Sequence, residues 1–148
     1  EDSIPLGKGY FLSGYKLFPG QSSEVSIVYP DKNRYVKELQ VTIDEQGTDW
    51  KSAQNGIGVG TTLGELERAN GRAFTLFGFD WDYGGVVTDW QDGGALSDHR
   101  IRLAYAMDGG KRPELHPTLL GEQKVTTTSP YLADLGIAVK QIIVRLPR

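Results

Sequence analysis

Six aromatic residues fall within seventeen positions: Phe74, Phe77, Phe79, Trp81, Tyr83 and Trp90. Rings at this density suit a binding surface, because they offer large contact area at low entropic cost. They also suit stacking on sugars. In a strand, successive side chains point to opposite faces, so Phe74, Leu76 and Gly78 share one side and Phe77 and Phe79 the other. One side must be core. Phe79, Trp81, Tyr83 and Trp90 are the rings assigned to binding.

The same segment contains Asp80-Trp81-Asp82-Tyr83-Gly84, which opens like the Asp-x-Asp-x-Gly of some calcium loops. Alternate oxygen ligands in a tight turn converge on a hard cation. The third acidic position and the twelfth-position Glu of an EF-hand are missing. Asp80 and Asp82 are thus the metal candidates, with Asp89 and Asp92 placed to supply further oxygens, and no cofactor is expected.

Catalytic patterns are incomplete. His99 stands between Asp98 and Arg100, and His116 between Leu115 and Pro117. An Asp98–His99 base can be drawn, but no Gly-x-Ser-x-Gly nucleophile accompanies it. With no cysteine there is no thiol nucleophile, thiolate zinc site or disulfide frame. Gly56-x-Gly-x-Gly60 lacks the Lys of a phosphate-binding loop and reads as a flexible helix entry.

A chain of 148 residues with 39% hydrophobic and 24% charged residues can bury one core without staples. A net charge of −3 without a basic block argues against nucleic acid as a partner. No apolar run is long enough for a membrane span. The first residue is Glu1. Removal of a signal peptide, with a lipid anchor outside this chain, would produce that start, and so would a trimmed boundary.

The elements that must position these residues read as α+β. Residues 1–22, rich in Gly, Pro and Ser, are expected to form an irregular N-terminal segment packed on a single domain of residues 23–148. Strands are predicted over Ser23–Tyr29 and Tyr35–Ile43, joined by a turn at Pro30–Asn33. Thr62 and Glu65 form a capping box. Leu63, Leu66 and Ala69 lie on one face, and Gly71 is a left-handed stop, so a short helix covers about residues 63–70. A meander follows: strands at Ala73–Phe79, Val86–Trp90, Arg100–Ala106, Glu122–Thr128 and Gly136–Leu146, with a long loop at Met107–Gly121. The expected architecture is an antiparallel sheet of five to seven strands with the helix packed on a face.

Gly60, Thr62, Leu66 and Gly71 resemble the signature of small bacterial envelope domains of the SmpA/OmlA type, within the group of folds like β-lactamase inhibitor protein. That signature is Gly-x-Thr with an aliphatic four residues and a Gly nine residues after the Thr. The family's usual Met is Thr61 here, its aliphatic before the last Gly is Asn70, and its Pro is Ala73. The resemblance implies a periplasmic or cell-envelope location, a helix on an antiparallel sheet, and contact with another envelope protein rather than catalysis. Bacterial exported proteins of unknown function share Gly-x-Gly-Thr-Thr-x-x-Glu-Leu equally well.

Three functions are open on sequence grounds. The first is a non-catalytic exported binding or scaffold domain meeting a protein through the aromatic hairpin. The second is a carbohydrate or small-ligand module using the same rings, with or without calcium. The third is a hydrolase using His99 and nearby Asp residues.

Overall fold

The computed structural model describes residues 2–7, 10–30, 36–92 and 94–146. It is α+β, with one short helix and antiparallel strands. The strands are β1 (Asp2–Gly7), β2 (Tyr10–Leu17), β3 (Val25–Val28), β4 (Leu39–Ile43), β5 (Thr75–Phe77), β6 (Val87–Asp89), β7 (Arg100–Ala104), β8 (Lys124–Thr126) and β9 (Ala138–Leu146); the helix is α1 (Leu63–Asn70). They divide into two sheets rather than one: a six-stranded sheet of order β1-β2-β3-β4-β9-β7, and a three-stranded sheet of order β6-β5-β8.

The residues read as an irregular N-terminal segment instead form the hairpin β1–β2, which adds two strands to the large sheet. Tyr15 and Leu17 alternate with Gly14 and Lys16, a strand pattern masked by the surrounding Gly and Pro. Pro5 is tolerated because it borders a register shift in the edge strand. Residues 31–33 of the expected turn and Tyr35 at the start of the next strand lie outside the described residues, as does Gly93 of the turn after Trp90.

The Val- and Ile-rich β9 lies between β4 and β7, so the last strand closes the sheet that the first four began. Arg102 pairs with Gln141 but Leu103 pairs with Val139, leaving Lys140 as an extra residue in β9. The bulge returns Val139 to the face of Ile142. That face carries Ile101, Leu103 and Val139 into the main core with Leu66, Phe74, Leu76 and Leu119.

Helix α1 is framed as its sequence requires. Thr62 is extended and its Oγ1 accepts from the Glu65 N–H at 3.3 Å. Gly71 is left-handed (φ 79°), and its N–H donates to Glu67 O and Arg68 O. Only the forward half of the capping box forms, with Glu65 exposed. Thr62 is also anchored by a bridge to Ala138 of β9. Leu66 is fully buried, which packs the helix onto the core.

Asn70, at the position where the resembled family has an aliphatic, is also buried. Its Nδ2 donates to Arg72 O and Trp90 O at 3.1 and 2.9 Å, and its Oδ1 accepts from Leu96 N–H at 3.1 Å. The side chain therefore ties the end of α1 to the segment after β6, satisfying buried main-chain groups that no strand reaches.

Candidate functional site

The loop between β5 and β6 is held from both sides. Phe79 N–H donates to Leu119 O at 2.7 Å, and Gly121 N–H donates to Phe79 O at 2.9 Å. Across the loop, Gly85 (φ 77°) lies so close to β7 that an added Cβ would stand 1.8 Å from Leu103 O. Only glycine permits both that backbone angle and that approach.

This scaffold separates the four rings assigned to binding. Phe79 and Trp90 are buried, at 3% and 7% exposure. Phe79 meets Tyr105 edge to face, and Trp90 tilts on Phe74 while its Nε1–H donates to His99 O at 2.9 Å. Neither ring offers a free contact surface. Trp81 is half-buried, and Tyr83 is exposed with its ring 5.3 Å from that of Trp81. Trp81 is oriented by an Nε1–H bond to Gly78 O at 2.9 Å and by Phe77 at its side.

Asp80 is left-handed (φ 66°) and exposed. Its Oδ1 accepts from Tyr105 Oη at 2.5 Å and its Oδ2 pairs with Arg112 at 2.7 Å. Its oxygens thus already meet a cation and a hydroxyl from this chain. Asp82 contributes its main-chain carbonyl, which accepts from Arg102 Nη2 at 2.7 Å. Among the described residues no cluster of three or more His, Cys, Asp or Glu is placed to hold a metal ion.

The histidines are engaged structurally. His99 Nε2 lies 3.4 Å from Asn55 Nδ2, and its Nδ1 is buried without a partner among the described residues. Its side-chain neighbour is therefore an amide, and no Asp98 carboxylate orients it as a base. His116 stacks on Tyr131 at 3.6 Å and caps the turn at Pro117–Leu119.

Beside the hairpin opens a cleft of about 600 Å³. Small residues make up much of its lining: Gly60, Gly84, Ala104, Ala106, Gly136 and Ala138. Trp81, Tyr105 and Met107 supply apolar surface, and Glu45, Asp80, Arg102 and Lys140 supply charge. Glu45 and Lys140 pair at 3.6 Å. Both side chains with shifted ionisation here have clear causes. The hydrogen bond to Asp80 raises the Tyr105 pKa above the usual tyrosine value, with burial and the Asp80 charge adding to it. Burial lowers the Arg102 pKa, opposed by the charges of Asp44, Tyr83 and Asp82.

Sequence reasoning missed Glu45, Arg102, Tyr105 and Lys140 as site residues. Tyr105 packs against the main core beside Phe79 and is half-buried, so that it also lines the cleft. No protein-family model matches the chain, and no curated protein or solved structure matches it.

Proposed function

We propose that this chain is a non-catalytic binding module that takes a small polar ligand, such as a monosaccharide, in the cleft beside the aromatic hairpin. One observation carries the reading: an oriented indole, Trp81, shares a cleft of ligand size with four charged side chains and two groups of shifted ionisation. Ligand clefts run from about 300 to 1,000 Å³ and combine apolar walls with a few converging polar groups. Shifted ionisation adds weight to such a site. The hydrolase reading loses support, since His99 has no carboxylate partner among the described residues and lies outside the residues lining this cleft.

Thermal denaturation over a panel of acidic and neutral monosaccharides tests the proposal. A ligand at one hundred times its Kd stabilises by about 2.7 kcal/mol, which is about 5–10 °C for a domain of this size. Ala104→Leu, which fills the cleft and leaves Trp81 in place, is expected to remove that shift. If no sugar raises the melting temperature of the unsubstituted protein, the proposal is wrong.

A protein-contact role has separate support, and it moves from the hairpin to the large sheet. Tyr15 lies across from Ile27, Ile27 from Val41, and Val41 from Val144, so these side chains share a face. Tyr15, Tyr29, Val144 and Leu146 on that face are 40–44% exposed. An exposed apolar sheet face suits a protein partner. A photo-crosslinking residue at Val144 is expected to form one discrete adduct in cells that make the full protein; absence of any adduct counts against this role. An envelope location rests only on the resemblance carried by Gly60, Thr62, Leu66 and Gly71, and fractionation of the same cells tests it.

A further inference from the structure

We infer that the ligand carries a carboxylate on a sugar ring, so that the cleft selects hexuronic acids over neutral sugars. This rests on the reading of the cleft as a ligand site. Of the four charged side chains lining it, three are matched within the protein. Asp80 pairs with Arg112 at 2.7 Å, and Glu45 pairs with Lys140 at 3.6 Å. Arg102 is the fourth. Its Nη2 donates to a main-chain carbonyl, Asp82 O, at 2.7 Å. Its Nε is buried and has no hydrogen-bond partner among the described residues. The charges of Asp44, Tyr83 and Asp82 act on it, and Asp44 Oδ1 accepts from Gln141 Nε2 at 2.7 Å.

Arg102 is half-buried with its Nε closed to solvent, so a ligand meets the guanidinium at its outer nitrogens, and a cation without a carboxylate partner among the described residues is open there to an anion. The planar guanidinium fits a carboxylate through parallel N–H donors. The other groups of the cleft narrow the choice of ligand. The Trp81 N–H is already bonded to Gly78 O and the Tyr105 hydroxyl to Asp80. Trp81 therefore has its ring, not its N–H, to offer, which suits the apolar C–H face of a pyranose. Arg102 for the anion and Trp81 for the ring together describe a uronate.

Isothermal titration of the full chain at neutral pH tests this with D-glucuronate, D-galacturonate, D-glucose, D-galactose and acetate. The uronates are expected to bind about tenfold or more tightly than the neutral sugars and acetate, a charge-assisted preference. That preference is expected to shrink as salt is raised. Arg102→Gln is expected to abolish it while leaving neutral-sugar binding. If that variant does not fold, Arg102→Lys decides: it keeps the charge without the planar guanidinium, and is expected to weaken uronate binding about three- to tenfold. Unchanged uronate affinity in Arg102→Lys overturns the inference. Neutral sugars binding as tightly as uronates overturn the charge selection while the ligand site stands. Acetate binding as tightly as uronates overturns the ring contact. If no compound binds, both the inference and the ligand site fail. Free uronates and uronates within a polysaccharide share this chemistry; a galacturonate trisaccharide that binds more tightly than the monomer assigns the polymer, and equal affinity assigns the monomer.

Discussion

Tyr105 donates its hydroxyl to Asp80 Oδ1 at 2.5 Å, while Asp80 Oδ2 pairs with Arg112 at 2.7 Å. One carboxylate thus joins the residue after β7, the aromatic hairpin and the loop that follows, at the mouth of the cleft. Because the bond needs the phenol proton, the Tyr105 pKa is raised, with the Asp80 hydrogen bond as the main cause.

The pH dependence follows from that direction. The folded protein holds the Tyr105 proton more tightly than the unfolded chain does. Its contribution is full below the unfolded tyrosine pKa of about 10 and is lost as pH rises through the higher folded value. Melting temperatures of the unsubstituted protein and Tyr105→Phe, compared from roughly pH 9 to 12, are expected to converge as pH rises. A difference that does not change with pH removes the Asp80 bond from the account.

Gly85 carries a steep and specific cost. Gly85→Ala drives a Cβ into Leu103 O in a left-handed backbone, and is expected to destabilise by about 3 kcal/mol or more. Gly56 is also left-handed (φ 71°) but has nothing within 4 Å of an added Cβ. Gly56→Ala is expected to cost about 1 kcal/mol. Urea unfolding of both variants checks the ranking; equal losses would mean that the contact between hairpin and β7 is looser than described.

Asn70 is a structural landmark rather than a tolerated polar residue. Asn70→Leu has similar bulk but leaves Arg72 O, Trp90 O and Leu96 N–H without their partner. It is expected to cost about 3 kcal/mol. Hydrogen exchange is expected to accelerate at the Leu96 amide first. A neutral or stabilising effect would contradict the role given to this side chain.

Thr62→Ala removes the single side-chain cap of α1. The expected loss is about 1 kcal/mol in denaturant unfolding. Glu65→Ala is expected to cost less, since the return bond of the capping box does not form.

Where local sequence dictates local structure, the fold was legible. Thr62 and Gly71 frame α1 at the expected ends, and β3, β4 and β9 fall within the strands expected at Ser23–Tyr29, Tyr35–Ile43 and Gly136–Leu146. The β1–β2 hairpin was not legible, because edge strands tolerate the Gly, Pro and Ser that make a segment look irregular. The division into two sheets was hidden too, since the segment before β6 meets β7 through a single bridge, Val86 to Arg102, rather than a ladder. Of the candidate site, Trp81 could be read from the aromatic cluster. The cleft could not. Glu45, Trp81, Arg102 and Lys140 come from four distant segments, and small residues such as Ala104 and Ala138 complete the lining. Trp90 is buried in the main core against Phe74, and its indole N–H is taken up by His99 O, neither of which a strand period reports.

The ligand cleft is the central claim, and its most direct test is a two-dimensional ¹H–¹⁵N spectrum titrated with the acidic and neutral monosaccharides. The three tryptophans give three indole signals, and each indole N–H has a different partner: Ser23 O for Trp50, Gly78 O for Trp81 and His99 O for Trp90. The account predicts that a bound sugar moves the Trp81 indole and the Gly60 and Ala104 amides, leaving the Trp50 and Trp90 indoles in place. Spectra unchanged by every sugar, or a shift at Trp50 with Trp81 unmoved, would contradict it.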